Sequence, residues 1–241
     1  MDAYPGYFDL IGFGPSGWGP ALIAATGMTV SVAACGFLLG SVIGGIVATV
    51  KLSRFALFRM AADVYITVLR GVPDLLVIYL LYFGGSSAIT VIAKYFGASG
   101  FISVPSFVTG VSALGVISGA FQAELFRGAY LALGKGELEA ARSFGMHRWL
   151  MLHRIIIPQV IRYAIPGMGN IWQLALKESA LISVVGLVEI LRQSQIGTGA
   201  TFRPFDFYIT AFFLYLLITW VSGHALKWAE RRSLRGVRRA M

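Results

Sequence analysis

The sequence contains few of the side chains on which enzymes and disulfide-linked proteins depend. Cys35 is the only cysteine in 241 residues, so neither an intrachain disulfide nor a multi-cysteine metal site can form. His147, His153 and His224 have neither metal-ligand spacing nor a cysteine partner. A Gly-x-Ser-x-Gly nucleophile turn is also absent. We therefore expect a chain that binds no metal and no cofactor and that catalyses no reaction itself.

A phosphate-binding loop is missing as well. Gly128, Gly134 and Lys135 are arranged somewhat like one, but the spacing is one residue too long and no Ser or Thr follows the lysine. The segment before them is a long apolar stretch and not a strand. We expect no ATP binding by this route.

Acidic residues are scarce, because 11 Asp and Glu face 20 Lys and Arg and give a net charge of +9. The cations lie beside apolar stretches, which favours anionic lipid head groups over nucleic acid as their counterpart. The chain is 57% hydrophobic, and its mean hydropathy is +0.75. This composition is typical of an integral membrane protein.

Apolar stretches of membrane-spanning length predict an all-α, polytopic protein in which residues 1–241 form one domain. A span needs about 20 apolar residues. The expected spans are 21–50, 61–83, 104–126, 166–188 and 207–226. The second is the least regular, because it contains Asp63, Arg70, Pro73 and Asp74. No internal repeat and no soluble domain is evident.

The distribution of Lys and Arg predicts the orientation. With the N-terminus outside, the inner segments hold fifteen Lys and Arg residues and the outer segments hold three. The positive-inside rule therefore favours a periplasmic N-terminus and a cytoplasmic C-terminus. The first 18 residues carry Asp2 and Asp9 but no Lys or Arg, unlike a signal peptide, so the first span is expected to remain.

Small residues recur along the first span, at Gly36, Gly40, Gly44 and Gly45. Such spacing lets helices approach backbone to backbone. We favour packing within the chain over a contact between subunits.

A polar and amphipathic segment at 134–160 interrupts the apolar pattern. Glu137 and Glu139 suit the first turn of a short helix, where carboxylates stabilise the positive end of the helix dipole. Gly145 is placed as its left-handed C-terminal cap. A second amphipathic stretch follows and runs to Pro158, which lacks an amide hydrogen and interrupts the pattern. A solvated hairpin that merely joins two spans is the alternative.

The spacing of this segment resembles the EAA loop of bacterial ABC-importer permeases at every anchor position. The matching residues are Glu139, Ala140, Ala141, Gly145, Ile155, Ile157 and Pro158. Four further segments resemble the polar amino-acid branch, whose Q-type permeases transport histidine, lysine/arginine/ornithine and opines such as octopine and nopaline. They are Arg-Gly-Val-Pro-Asp-Leu at 70–75, Phe-Arg-Gly-Ala at 126–129, Arg-Tyr-Ala-Ile-Pro-Gly at 162–167 and Lys-Glu-Ser-Ala-Leu at 177–181.

The resemblance implies a multi-pass subunit of the bacterial inner membrane that imports a polar amino acid or opine. It implies that the loop docks onto a cytoplasmic ATPase, present in two copies, which hydrolyses the ATP. A periplasmic solute-binding protein and a second permease, favoured to be a different M-type chain, would complete the importer.

Charged residues within the spans are candidates for the substrate path, because charge at membrane depth is unfavourable without a partner. Glu124 either pairs with Arg127 one turn later or faces the path and attracts a cation. Lys177 and Glu178 lie about 100° apart on a helix, so at least one should face protein or water. Asp74 follows Pro73, where a kink would free backbone carbonyls. The alternative for Lys177 and Glu178 is a buried structural ion pair between helices. The alternative for Asp74 is a helix kink at Pro73 with no further role.

Two other functions compete with this interpretation. A different small solute could be the cargo of the same kind of importer. A self-sufficient secondary transporter is disfavoured, because such proteins normally contain repeated halves.

Overall fold

The computed structural model of the protein describes residues 6–97 and 99–233. These residues form helices and no β-strand, in agreement with the all-α prediction. In chain order the helices are α1 (Tyr7–Ile11), α2 (Gly19–Lys51), α3 (Ala56–Gly71), α4 (Asp74–Tyr79), α5 (Gly85–Tyr95), α6 (Ser106–Leu131), α7 (Lys135–Ser143), α8 (Arg148–Met151), α9 (Ile157–Glu178), α10 (Ile190–Thr201) and α11 (Pro204–Ser233). Turns of π-helix at Leu80–Gly84 and Leu152–Ile156 and a 3₁₀-helix at Ser179–Val185 continue the neighbouring helices. Arg235, Arg238 and Arg239, three of the fifteen cations predicted to lie on the inner side, are outside the described residues.

Four described helical stretches are long and apolar enough to cross a membrane. They are Gly19–Lys51, Asp74–Tyr95, Ser106–Leu131 and Pro204–Arg232. Three agree with expected spans, whereas the second is displaced from 61–83 to Asp74–Tyr95. The displacement has a local cause, since Pro73 holds Val72 in an extended conformation (φ −95°, ψ 141°) and separates α3 from α4.

The expected fourth span, at 166–188, is also divided in the structure. α9 ends at Glu178, the chain tightens into the 3₁₀-helix, and Gly186 then adopts a positive φ of 88°. This stretch is not among the four that meet the length and apolarity of a span. Five crossings therefore remain a prediction.

The α2–α6 pair forms the framework on which the other helices pack. Gly36, Gly40 and Gly44 of α2 lie so close to α6 that an added Cβ would collide with Leu114, Ser118 or Gln122. The packing of these glycines is therefore within the chain, as favoured from the sequence. A Cβ on Gly45 would meet nothing within 4 Å.

The most deeply buried apolar cluster joins this framework to the broken helices. Val32 of α2, Ile78 of α4, Leu114 of α6 and Ile182 of the 3₁₀-helix are all fully buried and in one cluster. Side chains packed this closely gain van der Waals contacts with one another, which is the main source of helix association within a membrane. The cluster fixes the break before α4 next to the break after α9.

Candidate functional sites

The segment 134–160 begins with a helix whose C-terminus is capped as the sequence predicts. Gly145 has φ +74°, and its amide donates to the Arg142 carbonyl at 2.9 Å. The Met146 amide donates to the Ala141 carbonyl at 3.1 Å. These two bonds form a Schellman motif, which satisfies carbonyls that the end of α7 would leave unpaired.

The two alanines of this segment occupy different environments. Ala141 is only 5% exposed and packs inward, whereas Glu139 and Ala140 lie on the exposed side of α7. Phe144 is 88% exposed and Trp149 is 66% exposed, although both are large and apolar. Exposed aromatic side chains of this kind are typical of protein interfaces.

Pro158 does not end the second amphipathic stretch, contrary to the expectation from the sequence. It lies in the first turn of α9, directly after the π-helical turn Leu152–Ile156, so the helical path continues through it with a local change in the hydrogen-bond pattern. Ile155 is partly buried and Ile157 is 38% exposed. The Gln159 side chain donates to the Glu137 carboxylate at 2.5 Å, which ties the start of α9 to α7.

Two of the predicted path residues are brought together where helices break. Asp74 is the first residue of α4, and Glu178 is the last residue of α9. Their carboxyl groups lie close enough to interact with each other. Glu178 is 6% exposed, and its Oε1 has no hydrogen-bond partner among the described residues. Two carboxyl groups in contact favour a shared proton or a cation placed beside them.

Lys177 is exposed and lies on a different side of α9 from its buried neighbour Glu178. The expected angular separation of these adjacent residues is thus observed. The structure does not show a Lys177–Glu178 pair.

Glu124 belongs to a separate cluster of charges that connects α2, α3 and α6. It forms an ion pair with Lys51, and its second oxygen accepts from Arg127 at 3.0 Å. Lys51 also pairs with Asp63 at 2.8 Å. The sequence predicted the Arg127 contact as one alternative, but Lys51 and Asp63 were not foreseen because they are distant in sequence. The cluster does not include Asp74 or Glu178.

Glu189 is a fully buried carboxylate that the sequence analysis overlooked. It accepts from the amides of Leu191 and Arg192 at 2.9 and 2.8 Å and from the Tyr215 hydroxyl at 2.8 Å. It therefore caps α10 and links this helix to α11. The signal available in the sequence was a single acid between Val188 and Ile190, directly before a helix.

The family is shown by comparison with known proteins. Residues 36–239 match the model of the binding-protein-dependent transport system inner membrane component. The chain is 56% identical to the octopine transport system permease protein of Rhizobium meliloti over 98% of this chain and 100% of the relative. It is 49% identical to the nopaline transport system permease protein of Agrobacterium fabrum, with 95% and 98% covered. For the histidine/lysine/arginine/ornithine permease protein of Escherichia coli the identity is 38%, with 93% and 98% covered.

Solved structures agree with this relationship. A crystal structure of an amino acid ABC transporter with histidines matches with a TM-score of 0.74 and 34% identity, covering 89% of this chain and 95% of that chain. The chain belongs to the family of inner-membrane components of binding-protein-dependent transport systems. It is thus a multi-pass membrane subunit of a transport system and not an enzyme, as predicted.

Proposed function

We propose that this chain is one of two permease subunits of an ATP-driven importer for a cationic amino acid or opine. Transport runs from periplasm to cytoplasm. The substrate class is supported by the names of the relatives, which are octopine, nopaline and basic amino-acid permeases. The carrying observation is the contact between Asp74 and Glu178, a pair of carboxyl groups at the junction of two broken helices.

The proposed recognition site uses this carboxyl pair to bind the cationic part of the cargo. A bound cation relieves the repulsion between two adjacent carboxylates, and burial strengthens the attraction because little water screens it. Helix breaks at Pro73 and Gly186 flank the pair. Interrupted helices inside membrane proteins commonly line binding sites, since their free backbone groups face a cavity. Glu124 is left out of the site, because Lys51 and Arg127 already neutralise it.

Coupling to ATP hydrolysis is assigned to the exposed face of α7, the turn after it and the start of α8. Phe144 and Trp149 supply apolar anchors, and the small side chain of Ala140 allows close approach of a partner. The proposed partners are two copies of a cytoplasmic ATPase, a second permease of the M type and a periplasmic binding protein. This arrangement requires the N-terminus outside and segment 134–160 inside.

The carboxyl pair is tested by uptake into proteoliposomes that contain the complete importer. L-Arginine, octopine and the neutral L-glutamine are compared for the natural chain, Glu178→Gln and Glu124→Gln. We expect Glu178→Gln to reduce uptake of L-arginine and octopine, which both carry a guanidinium group, at least about tenfold relative to glutamine, because it removes one charged interaction worth about 1.5–3 kcal/mol.

Glu124→Gln is the matched control. It removes the same charge from a cluster outside the proposed site, so any loss should be equal for all three solutes and should accompany lower thermal stability. Equal losses of all solutes in Glu178→Gln would contradict the assignment of the carboxyl pair.

A secondary transporter is the competing proposal. Uptake by the purified chain alone, without ATPase or binding protein, would support it. We expect no uptake under those conditions.

A further inference from the structure

A polar groove between α9 and α11 is separate from both sites described above. Its cavity volume is about 250 Å³. This corresponds to roughly eight water molecules at ~30 Å³ each and is smaller than a typical drug-sized pocket. The groove lies at the middle of α9 and along the second half of α11, which leads to the C-terminus. Its polar lining comprises Asn170, Gln173, Thr219, His224, Lys227 and Glu230.

The polar lining is unusual for a surface that faces lipid. Asn170, Gln173 and Thr219 lie within the lengths of α9 and α11, and none of them is buried. Amide side chains are unfavourable in hydrocarbon and normally face protein or a water-filled cavity. The groove therefore fits an aqueous or polar occupant better than an acyl chain.

Two opposite charges stand one helical turn apart in this groove without ion-pair partners. Lys227 and Glu230 line the cavity, and neither forms an ion pair with any residue in 6–97 or 99–233. Residues at this spacing have Cβ atoms about 5–6 Å apart. Lys227 and Glu230 thus present opposite charges to one cavity, where they can bind the carboxylate and the ammonium of a single zwitterion.

One ring nitrogen of His224 is already engaged at this end of the groove. Its Nδ1 is 2.8 Å from the Trp220 carbonyl, and its ring contacts the Trp220 ring at a tilt of 53° with centroids 4.5 Å apart. The contact fixes the ring, so that Nε2 remains available to the cavity that His224 lines.

We infer that the groove is a second binding site for a small zwitterion of the amino-acid type, distinct from the Asp74–Glu178 pair. Lys227 binds the carboxylate, Glu230 binds the ammonium, and Asn170 and Gln173 provide hydrogen bonds to the rest of the molecule. The inference rests on the proposed function, which places this groove on the cytoplasmic half of the importer. Its occupant there is imported cargo before release.

Site-directed labelling of Gly223 tests the groove directly. Gly223 lines the cavity, and a Cβ at this position would meet nothing within 4 Å. Gly223→Cys in a Cys35→Ser background is labelled with a thiol reagent in inside-out vesicles of the complete importer. The probe is whichever of octopine, nopaline, L-arginine and L-histidine the proteoliposomes import fastest. We expect the probe to slow labelling of the cysteine. Lys227→Gln should raise the probe concentration that halves the labelling rate by about tenfold, as for loss of one charged hydrogen bond.

Glu178→Gln is the matched control and should leave this protection unchanged. Protection that disappears in Glu178→Gln but survives Lys227→Gln would overturn the inference, as would no protection by a probe that is imported. Failure of labelling without any probe would show that the second permease covers the groove, which also overturns it. Failure of import for all four probes would instead reject the proposed substrate class, together with the inference that depends on it.

Discussion

At the scale of single residues, a substitution at Gly145 tests whether segment 134–160 needs a positive φ at this position, separately from any steric clash. A Cβ at Gly145 or at Gly136 would meet nothing within 4 Å, but only Gly145 has a positive φ. Gly145→Ala should destabilise the end of α7 by about 1 kcal/mol, whereas Gly136→Ala should be neutral or stabilising within a helix. We expect ATPase association and uptake to fall only in Gly145→Ala, as measured by co-purification and transport. Equal behaviour of the two variants would contradict the role of the cap.

Residues whose role depends on neighbours in the sequence could be predicted, whereas residues whose partners are distant in the sequence could not. The cap at Gly145 was predicted because local chain geometry sets it. The Asp74–Glu178 contact could not be predicted, since its partners are far apart in sequence and meet only through the packing of α4, α6 and the 3₁₀-helix. Glu189 was missed for a related reason, because Tyr215 of a different helix completes its hydrogen bonds.

At the scale of helices, substitutions at two neighbouring glycines of α2 distinguish the effect of close packing from the effect of helix propensity. A Cβ on Gly44 would lie 2.8 Å from the Gln122 Cβ and 3.0 Å from the Gly119 carbonyl oxygen, whereas Gly45 faces open space. Both alanine variants gain helix propensity, but Gly44→Ala also forces α2 and α6 apart and should lose about 1–3 kcal/mol. We expect a lower melting temperature for Gly44→Ala than for Gly45→Ala in purified importer. Matching melting temperatures would show that this helix pair tolerates separation.

The existence of the long helices was predictable from apolar length, but two of their boundaries were not. Pro73 was recognised as a break within a span, yet the structure uses it to begin the apolar stretch Asp74–Tyr95. Pro158 was expected to interrupt a helix and instead lies in the first turn of α9. A proline can stop one helix or start the next, and the flanking tertiary packing decides between these outcomes.

At the scale of the whole molecule, the proposed orientation predicts opposite accessibility of two surface positions. Ser99 lies between α5 and α6, and the exposed Gly128 lies near the end of α6 that leads into segment 134–160. In intact cells lacking Cys35, an impermeant thiol reagent should label Ser99→Cys and not Gly128→Cys, although both should react after permeabilisation. The reverse pattern would overturn the orientation and place segment 134–160 outside.

The pairing of α2 with α6 also constrains how the chain is made. Gly36 packs against Leu114, and positions 36 and 114 are 78 residues apart. At synthesis rates of about 5–20 residues per second, roughly 4–16 s separate the emergence of these two residues from the ribosome. During that interval the glycine face of α2 lies in the bilayer without α6 packed against it. Assembly of this permease therefore begins with a first helix that must be stable alone in lipid, and its tertiary structure forms only after the third long helix has been inserted.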